Sequence, residues 1–179
     1  MQITRSLPLL DEILVPWQEC LGADYVGYRN HLYRMLHYCF YLGVPTGEDR
    51  QKLIIAAAFH DLGIWSAHTL DYLPPSIELA RRYLREQGLW HWGEEIALMI
   101  DMHHKVTPYR GVHAPLVELF RQGDRVDFSW GLCRCGVSAE YVAVVKAAFP
   151  NAGFHKCLAK LAWQQLKRAP FNPAPMMKW

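Results

Sequence analysis

Apolar residues recur at intervals of three and four along almost the whole chain, β-branched runs are short, and no alternating stretch is bounded by hairpin signals. Such a pattern admits helices packed by one face and supplies no strands for a sheet. The expected fold class is therefore all-α, a single irregular helical bundle. The first helix covers Leu9 to Leu21 and breaks or restarts near Pro16. The second runs from Tyr25 to Leu42, with His31, Met35, Tyr38 and Leu42 on one face, and ends at Gly43 before Pro45. Thr46, with Asp49 three residues on, caps a third that runs to Leu62 and stops at Gly63. Pro74 and Pro75 lead a fourth, Ser76 to Gln87, closed by Gly88; the fifth, Glu94 to His104, places Ile96, Met99, Ile100 and His103 on one stripe. The sixth, Ala114 to Asp127, contains Gly123, which costs about 1 kcal/mol relative to alanine and so signals close packing or a bend. Ser138 caps a seventh helix through Phe149, and Phe154 to Arg168 forms the last.

A chain of 179 residues suits one helical domain, placed at residues 1–169, followed by a tail at 170–179 that Pro170, Pro173 and Pro175 keep extended. Hydrophobic residues at 51% and charged residues at 20% exclude intrinsic disorder, a collagen-like repeat and a coiled coil. A net charge of +2 is too small for a polyanion-binding protein, so no nucleic-acid partner is expected. After Glu140 there is no acid, while Lys146, Lys156, Lys160, Lys167, Arg168 and Lys178 follow, either a solvated face or an edge that attracts anions. The longest purely apolar run, Leu53 to Phe59, is far short of the roughly 20 residues a membrane span needs. Pro8, Asp11, Glu12 and Pro16 break up any signal-peptide core, and five scattered cysteines form no C-x-x-C pair, Cys133-Arg-Cys135 being too close for a zinc corner. The expected location is the cytoplasm, with no membrane partner. Tail residues Phe171, Met176, Met177 and Trp179 could pack on their own domain or dock on a second copy in a homo-oligomer.

Chemistry concentrates among the nine histidines. His31 lies mid-helix on an apolar face, and His60-Asp61 closes the driest segment of the chain, Leu-Ile-Ile-Ala-Ala-Ala-Phe. A carboxylate buried there without a cation would cost several kcal/mol, so Asp61 demands positive charge. Neighbouring side chains on a helix diverge by about 100°, which lets His60 and Asp61 straddle one ion.

The dipeptide alone is weak evidence, but its order with other elements is not. An upstream helical His31, then Ala56-Ala-Ala-Phe-His60-Asp61-Leu-Gly63, then Ile100-x-x-His103-His104, then Asp124-Arg-Val-Asp127, resembles the HD-domain superfamily of metal-dependent phosphohydrolases. The resemblance implies an all-helical HD-type fold, with its motif core at residues 31–127, in which His31, His60, Asp61 and Asp124 hold one divalent metal. Asp127, one helical turn from Asp124, is the rival ligand or a partner that orients one. Two imidazoles and two carboxylates suit Mn²⁺, Fe²⁺, Co²⁺, Ni²⁺ or Zn²⁺ better than Ca²⁺.

Further implied is metal-activated water attacking a small phosphorylated, nucleotide-like substrate, with Asp61, His104 and Lys105 catalytic and Arg34, Lys105 and His103 binding the phosphate. Arg110 and Arg125 are weaker cation candidates, and either His103 or His104 could protonate a leaving group. Trp65, Tyr72, Trp90, Trp92 and Tyr109 crowd this part of the chain, where one or two could stack on a base. Two-metal relatives carry a histidine where this sequence reads Thr69 to Ser76, with Tyr72 and Pro74 and no histidine; His68 and His91 fall out of frame. The acidic residue that some nucleotidases place after His-Asp is also missing, since Leu62-Gly63-Ile64-Trp65 follows. The missing histidine implies one metal, and the missing acid leaves open which residue serves as general acid or base. Two other readings share the fold: a two-iron oxygenase, and a metal-stabilised module that binds without turnover.

Overall fold

Proline punctuates the helical pattern, and helices break or begin where several of the prolines stand. A computed structural model describes residues 3–177. Helix α1 (Pro8–Leu14) gives way at Pro16 to a 3₁₀ turn and a short α2 (Gln18–Leu21), as the sequence predicts. The long α3 (Tyr25–Gly43) follows, then α4 (Gly47–Phe59), the one-turn α5 (Gly63–Ser66) and α6 (Leu73–Glu86), which opens on Pro74 and Pro75. A 3₁₀ turn at Trp90–Trp92, which the apolar spacing does not anticipate, enters α7 (Gly93–Met102). The order closes with α8 (Ala114–Phe128), α9 (Ala139–Ala148) and α10 (Phe154–Arg168). No strand occurs among the described residues.

Three expected helix ends behave differently. Gly43 does not terminate α3; the left-handed residue is Val44 (φ 47°), whose N–H bonds to Phe40 C=O at 3.2 Å. Gly43 instead lets α8 approach, because a Cβ there would meet Leu119 Cδ2 at 2.5 Å. Thr46 adopts extended N-cap angles without a side-chain hydrogen bond, whereas Ser138 Oγ accepts from the Tyr141 N–H at 3.1 Å as a cap should. The third helix ends at Phe59, and His60 to Leu62 form a turn from which Gly63 starts α5 rather than stopping α4.

Helices α3 and α8 pack along each other, and Gly123 allows it. A Cβ at Gly123 would lie 2.3 Å from Cys39 Sγ and 2.9 Å from the Met35 carbonyl. The glycine thus serves close packing rather than a bend. This contact lays His31 beside Asp124 and Asp127, while α4, buried from Leu53 through Phe59, delivers His60 and Asp61 from the other side. α7 packs on α4 and α8, so His103, in the turn beyond its last residue, reaches the same centre.

Lys156, Lys160, Lys167 and Arg168 stand exposed on α10, whose buried residue is Phe154. Residues 169–177 contain no helix and run through turns closed by Asn172 N–H on Ala169 C=O and Met177 N–H on Ala174 C=O. Phe171 is fully exposed, Met176 packs on the core, and Lys178 and Trp179 lie outside the described residues. All five cysteines are free.

Candidate metal centre

Each histidine of the cluster has its Nδ1 proton directed outward. His31 Nδ1 donates to Asp127 Oδ2 at 2.8 Å, His60 Nδ1 to the Ala57 carbonyl at 2.8 Å, and His103 Nδ1 to the Ile100 carbonyl at 2.6 Å. A carbonyl or carboxylate oxygen only accepts, so in each neutral ring Nε2 carries a lone pair. Those Nε2 atoms converge. His31 Nε2 and His60 Nε2 are 3.2 Å apart; Asp61 Oδ2 lies 3.2 Å from His60 Nε2 and 3.9 Å from His31 Nε2. Asp124 Oδ1 lies 3.6 and 3.8 Å from the same two nitrogens.

Ligands about 2.1 Å from an octahedral ion sit about 3.0 Å apart when adjacent and about 4.2 Å when opposite, a range into which all five separations fall. Asp61 Oδ1 and His103 Nε2 are buried without a hydrogen-bond partner, 3.6 Å from each other. A buried cluster into which imidazole lone pairs and carboxylate oxygens converge fits a divalent cation. His31, His60 and Asp61 are mutually close enough to share one, and Asp61, His103 and His104 form a second such group through the same carboxylate.

Electrostatics report the same demand. Burial alone would lower the His60 ring, but the charge of Asp61, its hydrogen bond and the charge of Asp124 carry it to about 9. Burial likewise pushes Asp61 up, and His60 and His103 more than reverse this, holding it well below the usual carboxylate range. Without metal, a proton takes the cation's place.

Asp127 stands behind His31. Its carboxylate also takes Arg34 Nε at 2.5 Å and Nη2 at 2.8 Å; against burial, His31 and Arg34 hold it below the ordinary range. Arg34 Nη1 donates to the carbonyls of Phe149 and Pro150 at 3.1 and 3.3 Å. Arg34, expected to bind phosphate, is thus an internal counter-ion that fixes Asp127 and through it the His31 ring.

The expected phosphate binders are displaced too. His103 is buried against Asp61 and does not line the adjoining cavity, whereas His104 does. The Lys105 carbonyl accepts from Arg121 Nη1 and Arg125 Nη2, each at 3.1 Å, and neither Lys105, Arg110 nor Arg125 lines the cavity. His68 and His91 are exposed and do not line the cavity. Of the aromatic candidates only Tyr72 reaches the cavity; Trp65 Nε1 donates to Asp24 Oδ2 at 3.0 Å, and Trp90 is exposed. The Tyr72 hydroxyl bonds to His104 Nε2, and burial and the neighbouring His103 push His104 well below its ordinary value, toward the neutral ring.

The cavity itself has a volume of 320 Å³ and opens onto His31, Asp61 and Asp124. Phe128, Trp130 and Phe154 supply its aromatic wall, and the Phe154 ring stacks on His31 at 4.3 Å and 12°. His155 also lines it: Nδ1 donates to Asn151 Oδ1 at 2.7 Å, and Nε2 is buried without a partner. Sequence reasoning missed Trp130, Phe154 and His155, which follow the last motif element and carry no spacing signal of their own.

No curated protein and no solved structure matches the chain. A family model, the HD domain, matches residues 28–128, more than half of the chain. That span opens just before the His31 turn of α3 and closes at the end of α8, so it holds every residue of the buried cluster. The chain belongs to the HD-domain family.

Proposed function

We propose that the protein is a metal-dependent phosphohydrolase that cleaves a phosphate ester of a nucleotide or another small phosphorylated metabolite, acting in the cytoplasm. The observation that carries this reading is the convergence of bare imidazole nitrogens and two carboxylates beside an open cavity. His31, His60, Asp61 and Asp124 would hold one divalent transition ion. When bound, such an ion supplies Lewis acidity, making water nucleophilic near neutral pH and polarising the phosphoryl oxygen.

The chain's own residues do the rest. Asp127 fixes the His31 tautomer so that Nε2 faces inward, and the Ala57 and Ile100 carbonyls do the same for His60 and His103. Tyr72 and His104, joined by a hydrogen bond on the cavity wall, offer a proton to a substrate oxygen. Because Tyr72 already engages His104 Nε2, the second group around Asp61 lacks a free imidazole nitrogen at that atom, which favours one ion over two.

Protein loaded with Mn²⁺ is expected to hydrolyse members of a panel of nucleotides, p-nitrophenyl phosphate and bis(p-nitrophenyl) phosphate. His60→Ala and Asp61→Ala proteins that keep their helical circular dichroism should lose both bound metal and turnover. Turnover retained in those variants, or no turnover across the panel with Mn²⁺, Fe²⁺, Co²⁺, Ni²⁺ or Zn²⁺, would overturn the reading.

A further inference from the structure

The cavity beside the cluster is built of Ile64, Leu70, Phe128, Trp130, Phe154 and Leu158, and none of the described residues lining it is lysine or arginine. Trp130, Phe154 and Leu158 lie beyond residue 128, outside the family match, so this wall belongs to the chain's own C-terminal segment. Among the described residues of that wall, His155 Nε2 is the polar atom buried without a hydrogen-bond partner, and with Nδ1 donating to Asn151 Oδ1 it is the accepting nitrogen of the neutral ring, which offers an anion nothing.

Charge decides what such a space can hold. Asp61 and Asp124 carry two negative charges, which a divalent ion cancels, and Asp127 is cancelled by Arg34. No positive charge remains for a guest. A terminal phosphate carries a charge of about −1.5 to −2 near neutral pH, and burying unpaired charge against apolar walls is heavily penalised. The exposed lysines of α10, Lys156, Lys160 and Lys167, can attract anions from outside but do not line the cavity.

We infer that the site takes a phosphodiester bearing a single negative charge and seats one of its uncharged apolar or aromatic groups against Trp130, Phe154 and Leu158. The inference rests on the hydrolase reading above. In the reaction, water's oxygen bonds to phosphorus and the ester P–O bond breaks with its electron pair on the alcohol oxygen. That oxygen takes up the proton that water releases.

The test compares two inert probes on Mn²⁺-loaded full-length protein by calorimetry at about pH 8, where diphenylphosphinate is a monoanion and phenylphosphonate a dianion. Diphenylphosphinate should bind about tenfold more tightly or better. Ala159→Lys and Ala162→Lys, at exposed positions on the cavity rim, should each narrow or invert that ratio by placing a cation beside the guest. Equal or tighter binding of phenylphosphonate to the unmodified protein overturns the inference, as does an unchanged ratio in both folded lysine variants. Should diphenylphosphinate be preferred while no ester is hydrolysed, the subsite stands and the hydrolase reading falls. Should p-nitrophenyl phosphate be hydrolysed and phenylphosphonate bind more tightly, the reverse holds.

Discussion

Exchanging Asp127 for asparagine separates two tasks that one carboxylate performs. Its oxygens take Arg34 Nε at 2.5 Å, Arg34 Nη2 at 2.8 Å and His31 Nδ1 at 2.8 Å, with the Arg34 and Asp127 side chains only 3% and 4% exposed. Opposite unit charges about 4 Å apart interact by about 4 kcal/mol at an effective dielectric near 20. Removing one partner of a buried pair costs about 3–5 kcal/mol, because the other charge stays buried. The carbonyls of Phe149 and Pro150 bond to Arg34 but cannot neutralise it. Metal-free Asp127→Asn protein should therefore lose about 3 kcal/mol or more, read from urea denaturation in excess chelator.

Adding Arg34→Met removes the stranded charge, and the double variant should regain up to about 3 kcal/mol over Asp127→Asn. Metal affinity should not follow. It depends on the negative charge behind His31: an amide oxygen at this position can still accept from Nδ1 but no longer raises the basicity of the ring, and loss of such a charged partner weakens binding about 10- to 100-fold. Competition with a chromophoric chelator should show that deficit in single and double variants alike. An Asp127→Asn protein within about 1 kcal/mol of the parent would refute the buried-pair account. Affinity restored by Arg34→Met would refute the His31 account.

Gly123→Ala should destabilise despite the roughly 1 kcal/mol that helix propensity favours alanine, since its Cβ would meet Cys39 Sγ at 2.3 Å; a raised melting temperature would count against close α3–α8 packing. Burial outweighs the hydrogen bond to the Tyr33 carbonyl and, with Arg50, holds His37 below 6.5. The unfolded chain therefore binds the proton first, so this contribution to stability is complete above the unfolded value and falls away as pH drops below it. The urea midpoint should decrease between about pH 7.5 and about 5.5, and His37→Gln should flatten part of that decrease. Saturating metal at about 100 times its dissociation constant should stabilise the parent by about 2.7 kcal/mol and leave His60→Ala unmoved. Elemental analysis should give one ion per chain, and two would show that Asp61 bridges both candidate groups.

Helix positions were largely legible because apolar period, proline and glycine act locally. Phe154 to Arg168 is α10 to the residue, and Pro16 breaks the first helix where expected. What failed was the work assigned to particular residues at the ends. Gly43 and Gly63 read as stop signals, yet a neighbour lies against each: the Leu119 side chain at Gly43, and the Tyr72 carbonyl, 2.4 Å from a Cβ, at Gly63. A turn signal and a close approach demand the same residue, and only tertiary contact distinguishes them.

The candidate site divides along the same line. His31 and Arg34 are three apart on α3, and Asp124 and Asp127 three apart on α8. Once those helices pack face to face, His31 and Asp124 turn toward the centre while Arg34 and Asp127 pair beside them, so Arg34 is consumed by the scaffold that the sequence alone could not assemble. Ligand chemistry restricts residue type severely, since few side chains offer a lone pair to a cation, and that restriction makes the cluster readable in one dimension. Apolar contact imposes no such restriction. Trp130, Phe154 and Leu158 are ordinary residues of a helical protein, and they become a wall over the site because the chain returns there after α9. The candidate metal centre is thus written in residue identity, while the wall of the cavity beside it is written in the path of a segment that no motif marks.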